Sequence, residues 1–347
     1  MFENGKCPER TRSALDCGKA AGQNHRPLAG ASASFWHSRL PHGDFNMVKL
    51  THFWPFNVYD RRVQEIVLRQ FAEAGADGVC FSAPEMAAMA CDPGEIVRWK
   101  RMISASGVAF RDAHAPYGPM KDLSCPVPEA FPHMVRMHET CLRLCREFGI
   151  SSCTIHVGRP TELCKDASVL HDNALRALEK ILPTAEECRC VVCIENIWDP
   201  NNTAGMLLDA IDRFRSPWLG ICWDSGHAQL SRSDTPDIPT QCGRESWRNN
   251  GFPGGPPEWS DTDDYLRRLL PHIVTCHLHT NDRVRDRHWL PTDPRGRTDW
   301  ASEIPLLLSA PRLMQLQNEA SPNAENPFTV KQQVDSLKAV VSHGRRS

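Results

Sequence analysis

Histidines and carboxylates stand at the ends of apolar, strand-like segments in the middle and later parts of the chain. The residues are His114, His156, Glu195, Asp224, His227, His279, His288 and Glu319. Groups this polar at the ends of buried strands cost free energy unless something compensates their charge. A divalent cation does so directly, because imidazole and carboxylate are ligands that it prefers. The pattern therefore predicts a metal-dependent enzyme.

The bulk composition limits the classes of partner. The 347 residues suffice for one large α/β domain or two ordinary ones, and the net charge of −2 gives no basic field for nucleic acid. No apolar run reaches the length of a membrane helix, and the N-terminus lacks a secretory signal pattern. The 15 cysteines are scattered through predicted strands and helices, as reduced core cysteines are. We expect a cytoplasmic protein without a membrane partner.

The order of the predicted elements indicates the fold class. Residues 1–46 show no sustained period and are predicted to be an irregular N-terminal leader, so that the catalytic domain spans 47–347. Amphipathic helices are predicted over 60–74 and 128–148. Strands are predicted over 48–54, 77–82, 108–114, 152–157, 190–195, 219–224, 273–280 and 312–319. Eight strands alternating with helices favour a (β/α)₈ TIM barrel over an open sheet, which usually carries a Gly-rich first turn.

One connection is unusually long. Residues 228–260 are rich in Gly, Pro and Ser, contain Trp247, Phe252 and Trp259, and show no helical period. Loops of this length are lids, binding loops or disordered segments. A lid over the site, an arm toward a second subunit and disorder all remain open for this insertion, and its aromatic residues leave a homo-oligomer open.

A barrel fold would gather the polar residues, because barrel active sites form at the C-terminal ends of the strands. Strand alternation places Cys193 with Glu195 on one face, Gln317 with Glu319 on another, and His277 on the same face as His279. A single histidine or glutamate at such a position is usually structural. Several of them at the same ends of at least six strands are better explained by a shared ion.

Three motifs carry a resemblance to a known family. They are HLHTNDRVRDRHWLPTDPRGRTDW (277–300), DSGH (224–227) and Glu-Asn (195–196). Over residues 48–342 the chain resembles the xylose isomerase-like barrels, which group sugar-phosphate isomerases and epimerases with type IV AP endonucleases. Two departures stand out: the loop 291–296 lacks the family's Pro-Gly-x-Gly, and Trp198 replaces a small residue of the endonucleases, which narrows the site.

The resemblance implies a set of metal ligands. In the epimerase branch the matching core is Glu195, Asp224, His279 and Glu319; the endonuclease branch adds ligands that match His114, His156, His227, Asp286 and His288. Because all nine positions are filled, one ion and a cluster both remain open. Mixed histidine and carboxylate ligands suit Mn²⁺, Zn²⁺ or Co²⁺ better than Mg²⁺.

These residues predict an isomerase or epimerase acting on a small sugar, sugar phosphate or polyol by metal-assisted proton transfer through an enediolate. Glu195 and Glu319 would be the acid and base, with His227, Arg285 and Arg159 binding substrate. The alternative is an AP-endonuclease-like multinuclear metal phosphodiesterase, against which the absence of basic runs and Trp198 argue. A second alternative is a non-catalytic barrel that binds a sugar.

Overall fold

Eight parallel strands close into a barrel in sequence order, β1 to β8, which confirms the predicted TIM barrel. The computed structural model describes residues 48–230 and 262–344, so the predicted leader and residues 231–260 of the insertion lie outside the described residues. The strands are β1 (Lys49–His52), β2 (Gly78–Phe81), β3 (Phe110–His114), β4 (Ser152–Ile155), β5 (Val191–Glu195), β6 (Leu219–Asp224), β7 (Ile273–Leu278) and β8 (Gln315–Asn318).

Helices cover the outside of the barrel. They are α1 (Arg61–Glu73), α2 (Ala83–Cys91), α3 (Pro93–Ser106), α4 (Phe131–Glu147), α5 (Ala167–Cys188), α6 (Ala204–Phe214), α7 (Ser225–Leu230), α8 (Thr262–Leu269), α9 (Trp300–Leu308) and α10 (Val330–Gly344). The two helices predicted over 60–74 and 128–148 are α1 and α4. One boundary differs from the prediction, since 228–230 begin the predicted loop but form the end of α7.

Local chemistry explains where these helices begin and end. Asp60 caps α1 by accepting hydrogen bonds from the backbone N–H groups of Arg62 and Val63. The apolar stripe of α1, which includes Leu68 and Phe71, is buried against the barrel. Gly149 follows α4 with a φ of 68°, the left-handed conformation in which helices commonly end. The helical layer is therefore set by capping and by the apolar period.

The inside of the barrel is polar beneath the site. The Gln317 amide donates to Asp112 Oδ2 at 2.8 Å, and the Thr51 hydroxyl donates to the same oxygen at 2.7 Å. Ser152 Oγ donates to Gln315 Oε1 at 3.1 Å, which joins β4 to β8 across the barrel. Only side chains that point inward can make these bonds, so the barrel interior beneath the site is polar. We call Thr51, Asp112 and Gln317 the Asp112 layer.

Cysteines contribute to the packing as free thiols in the described part of the chain, and most of them are buried. Cys190 packs in the large core between barrel and helices, whereas Cys193 packs with Cys222 in a separate small cluster. Cys190, directly before β5, and Cys193, within it, thus lie on opposite sides of the strand, as strand alternation predicts. Within residues 48–230 and 262–344, every helix is too short or too polar to span a lipid bilayer.

Candidate metal and active site

The predicted ligands converge at one end of the barrel. His114, Glu195 and Asp224 are the last residues of β3, β5 and β6, and His156, His279 and Glu319 directly follow β4, β7 and β8. Parallel strands end at the same rim, so these side chains meet there. We define the mouth cluster as His114, His156, Glu195, Asp224, His227, His277, His279, Asp286, His288 and Glu319.

Glu195 occupies the centre of the mouth cluster and is 1% exposed. Its Oε1 lies 3.1 Å from His277 Nδ1 and 3.3 Å from His227 Nδ1. Its Oε2 lies 3.0 Å from His156 Nε2 and 3.5 Å from His114 Nε2. Each carboxylate oxygen therefore faces a different pair of imidazoles, which is the arrangement that lets one carboxylate bridge two cation positions.

Asp224 is held by its neighbours in sequence and space. Its backbone N–H donates to Asn196 Oδ1 at 2.6 Å, and Asn196 Nδ2 donates to the Asp224 carbonyl at 3.0 Å. Asp224 Oδ1 accepts from the backbone N–H of His227 at 2.6 Å, at the beginning of α7. The other oxygen, Oδ2, faces His279 Nε2 at 3.2 Å. The Glu-Asn and DSGH motifs thus fix one another.

A second set of donors comes from the loop after β7. His288 Nε2 lies 2.9 Å from Asp286 Oδ2, and His227 Nε2 lies 3.7 Å from the same oxygen. The rings of His279 and His288 stack with centroids 4.1 Å apart. His288 has a φ of 46°, an uncommon conformation for a residue other than glycine. The surrounding contacts hold this strain, as is common at functional sites.

The donor set fits divalent cations. Three overlapping groups have ligand atoms within 4.8 Å of one another: His227, His279, Asp286 and His288; His114, Glu195 and His277; Glu195, Asp224, His277 and Glu319. The carboxylates of Glu195, Glu319 and Asp286 face imidazoles of the mouth cluster at 3.0, 3.3 and 2.9 Å. Their charge is balanced either by protons on the rings or by a bound cation.

The histidine tautomers support the same conclusion. His114 Nδ1 lies 2.9 Å from the carbonyl of Ala115, and His288 Nδ1 lies 3.2 Å from the carbonyl of Glu319. Because a carbonyl only accepts, Nδ1 carries the proton in both rings, and in the neutral ring Nε2 keeps its lone pair for the cluster. Metal-binding histidines typically donate their other N–H in this way.

The charges of the cluster shift its pKa values strongly. Burial by itself lowers the pKa of His227 and His288, but the neighbouring carboxylates outweigh burial and raise both to about 10. Burial raises the pKa of Glu319, but His277 and His288 outweigh it and hold that pKa below its ordinary value. Without ions the site is thus a set of imidazolium and carboxylate pairs, and a cation binds His227 and His288 only when it displaces their protons.

A cavity of about 190 Å³ opens above the mouth cluster. Tyr117 stacks on His156 with ring centroids 4.7 Å apart, and the edge of Trp198 meets His227 at 4.6 Å. The cavity is smaller than the roughly 300–1,000 Å³ of sites for drug-sized ligands, so the described walls suit a small molecule. Trp198 lines this cavity, and its narrowing of the site relative to the endonucleases stays a prediction.

Arg159 lies at the wall of this cavity, and among the described lining residues it alone has a permanently positive side chain. The backbone before it is fixed, because the carbonyl of Gly158 accepts from Asn201 Nδ2 at 2.9 Å and from Asn202 Nδ2 at 2.8 Å. Arg285 is exposed and does not line the cavity. Its predicted role in binding substrate stays a prediction.

The structure brings together all nine predicted ligands and adds residues that sequence reasoning missed. His277 enters two of the three ligand groups, although its sequence position indicated only a face shared with His279. Tyr117 and Asp122 line the cavity. Tyr117 lies three residues after His114, and this closeness in sequence was a usable signal. Nothing in the local sequence marks Asp122.

The geometry agrees with the comparison to known families. Residues 68–310 match the family model described as a xylose isomerase-like TIM barrel. The chain belongs to this family. The match confirms the resemblance inferred from the motifs, and it spans the strands that carry all of the mouth cluster except Glu319.

Individual relatives are distant. The solved structure of a D-tagatose 3-epimerase-like protein matches with a TM-score of 0.64 and 16% identity. The match covers 86% of this chain and 99% of that protein's chain. An L-ribulose 3-epimerase has a TM-score of 0.60 at 17% identity, covering 86% and 96%. A Probable endonuclease 4 from Methanoculleus marisnigri is 26% identical over 142 residues, 40% of this chain and 49% of that protein. At these identities the solved structures show the fold alone.

Proposed function

We propose that this member of the family is a divalent-metal-dependent isomerase or epimerase of a small sugar, sugar phosphate or polyol. The observation that carries the proposal is the meeting of Glu195, Asp224 and Glu319 beneath a small cavity, in one group with His277. His279 joins this group through its Nε2, which lies 3.2 Å from Asp224 Oδ2 and 4.0 Å from Glu319 Oε2. The two glutamates line that cavity themselves, so they can both bind an ion and reach a substrate. The solved neighbours named as sugar epimerases support this choice of chemistry.

The proposed mechanism uses the two glutamates as acid and base. A bound divalent ion would polarise the substrate carbonyl and make the neighbouring C–H more acidic. Glu195 and Glu319 reach the cavity from β5 and β8, so they approach the sugar carbons from different directions. In isomerisation one carboxylate would take the C–H proton, become a carboxylic acid and return that proton to the neighbouring carbon of the enediolate. In epimerisation the first carboxylate would keep the proton it takes, and the other glutamate, carrying a proton, would deliver it to the opposite face of the same carbon.

Other cavity residues would hold the substrate. His227 is buried between Asp224 and Trp198, so its ring is fixed where it can meet a substrate oxygen. Tyr117 is largely exposed and offers an aromatic face at the entrance. Arg159 stands on the fixed backbone after Gly158 and would bind a phosphate or another anionic group of the substrate. These roles make sugar phosphates the first compounds to test.

Solvent deuterium exchange tests the proposal. The metal-loaded protein is incubated in D₂O with ketopentoses, ketohexoses and their phosphates, and deuterium in the recovered sugars is measured by mass spectrometry. We expect exchange that stops on chelation, and a loss of about 10²- to 10⁴-fold in Glu195→Gln and Glu319→Gln. Glu162→Gln is the matched control, since that carboxylate is exposed and pairs with Lys165. Unchanged exchange in both glutamine variants would refute the assigned roles.

Phosphodiester hydrolysis at abasic DNA is the second candidate. A specific observation favours it: His227, Asp286 and His288 form a ligand set beside the central one, so two or three ions can be held together. The partial similarity to a Probable endonuclease 4 points the same way. A nicking assay on abasic duplex DNA with the zinc-loaded protein decides it. Cleavage without any sugar exchange would replace the isomerase proposal.

The bound cation is proposed to be Mn²⁺, Zn²⁺ or Co²⁺, because imidazole is prominent among the donors. Metal analysis per chain after purification measures both the identity and the number of ions. A barrel that binds sugar without chemistry would show calorimetric binding of a ketose together with no deuterium exchange.

A further inference from the structure

His277 lies deepest in the mouth cluster. Its side chain is fully buried, and its Nδ1 lies 3.1 Å from Glu195 Oε1, 3.3 Å from Glu319 Oε2 and 3.8 Å from Asp224 Oδ2. The contact with Glu195 Oε1 has hydrogen-bond geometry. A single ring nitrogen therefore contacts both of the carboxylates that we assign as acid and base.

The other side of the His277 ring faces the barrel interior. Its Nε2 lies 3.5 Å from the hydroxyl of Thr154, which can donate to it. The three oxygens that surround Nδ1 belong to carboxylates, which only accept when ionised. Nδ1 therefore carries a proton. The ring thus donates from Nδ1 upward to the glutamates.

His279 lies two residues after His277, directly after the end of β7, and its surroundings differ from those of His277. Its Nε2 faces Asp224 Oδ2 and lies 3.9 Å from Asp286 Oδ1, and its ring stacks on His288. His279 thus belongs to the ligand group that also contains His227, Asp286 and His288, the last two of which lie on the loop after β7. The two histidines of the HLH sequence accordingly occupy two levels of the same site.

We propose that His277 is a positioning residue, which orients Glu195 and Glu319 toward the metal by donating a hydrogen bond from beneath rather than by binding the metal itself. The inference rests on the metal site of the proposed function and not on the identity of the reaction. Its consequence is measurable as metal affinity, because residues that orient ligands typically contribute about 10- to 100-fold to that affinity.

Two substitutions at this position separate the alternatives. His277→Leu removes the donor, whereas His277→Asn keeps an N–H near the position of Nδ1 and removes the imidazole. Zinc and cobalt affinities are measured by competition with a chromophoric chelator, and the visible spectrum of the cobalt protein reports the ligand set. We expect His277→Leu to lose about 10- to 100-fold in affinity and His277→Asn to stay within about threefold of the unsubstituted protein. The cobalt spectrum of His277→Asn should match the unsubstituted one.

Two results overturn the proposal. Unchanged affinity in His277→Leu would show that the contact to the glutamates does not matter for metal binding. Equal losses in both variants, with an altered cobalt spectrum in His277→Asn, would show that His277 is itself a ligand. Thermal unfolding of the metal-free variants checks the fold. If His277→Leu does not fold, Thr154→Val takes its place, because it removes the hydroxyl that contacts Nε2 at 3.5 Å and helps to fix the ring. The proposal then requires Thr154→Val to lower zinc affinity. Failure of the sugar exchange assay leaves these metal measurements unaffected.

Discussion

Histidines at the barrel mouth and buried histidines elsewhere in the molecule have opposite pKa shifts. The pKa values of His227 and His288 are raised to about 10, whereas the pKa of His52 is lowered to about 3 and that of His138 to about 4. Burial disfavours the charged ring at all four positions. At the mouth Asp224 and Asp286 overcome this effect, while beside His52 the charged neighbour is Lys338, which lowers the pKa further.

Carboxylates show the same contrast. At the mouth the pKa of Asp286 is held well below its ordinary value, because the charges of His288 and His227 outweigh its burial. Asp112, lower in the barrel, has a raised pKa, since burial outweighs the hydrogen bonds from Thr51 and Gln317. The fold therefore favours charged side chains at the mouth and neutral ones in the rest of the interior. This contrast supports the proposed cation site.

The largest expected effect comes from removing a mouth carboxylate. Asp224→Asn deletes a charge that contacts His279 and holds the beginning of α7. We expect zinc affinity to fall beyond the roughly 100-fold that the loss of a supporting group produces. Metal content after dialysis and chelator competition measure it. If the Asp224→Asn protein keeps its full metal content, the proposed contrast is wrong, because a carboxylate at the mouth would then contribute no more to metal binding than one in the Asp112 layer.

A second effect follows from the raised histidine pKa values at the mouth. At neutral pH the rings of His227 and His288 are protonated in the metal-free protein, so ions must displace protons in order to bind there. Affinity for zinc should therefore rise with pH up to about 10, by up to about tenfold per pH unit for each proton displaced. Calorimetry in buffers of different ionisation enthalpy counts the protons. An affinity independent of pH between 6 and 8 would contradict the assignment of these rings as ligands.

The barrel and the polar residues at its strand ends were readable from the sequence because both follow simple periods, whereas the roles of these residues as ligands came from the family resemblance. Strand alternation and the common rim of parallel strands suffice to bring Glu195, Asp224 and Glu319 together without any knowledge of the loops. Depth was not readable. His277 and His279 share a face of β7, and alternation does not say which of them faces a cavity and which faces the barrel interior.

The loop after β7 also resisted prediction, for a different reason. Its course depends on a tertiary pairing in which Thr280 and Trp289 exchange two backbone hydrogen bonds of 3.1 Å, and on the left-handed backbone at His288. Those contacts turn Asp286 and His288 toward the cluster while Arg285 faces solvent. Sequence spacing alone identified the residue types on this loop but not the direction of each side chain.

Outside the mouth, His52 gives a prediction on stability. Its ring stacks on Phe71 with centroids 5.5 Å apart, and its folded pKa of about 3 lies below the ordinary 6.5. The unfolded chain therefore binds this proton more readily, so the stabilisation is full above pH 6.5 and is lost as the pH falls toward 3. At pH 5 the loss is about 2 kcal/mol.

Denaturant unfolding at pH 7 and pH 5 measures this loss for the metal-free protein. In His52→Leu the difference between the two pH values should shrink by about 2 kcal/mol, because the titrating group is gone. His133→Gln, which changes an exposed histidine on α4, is the matched control and should leave the difference unchanged. If His52→Leu titrates like the unsubstituted protein, the acid sensitivity arises elsewhere and His52 does not illustrate the contrast.

The smallest expected effect sharpens the comparison most directly, because it applies to Asp112 the same substitution that disables Asp224. The raised pKa of Asp112 means that the fold disfavours its charge, so Asp112→Asn loses little. The amide oxygen can still accept from Thr51 and Gln317, which contact Oδ2 at 2.7 and 2.8 Å. We expect a change in unfolding free energy within about 1 kcal/mol and an unchanged zinc affinity. A loss of zinc binding equal to that of Asp224→Asn would instead make the Asp112 layer part of the metal site. The carboxylates of Asp112 and Asp224, at different depths in the barrel, would then both balance the charge of the bound ion.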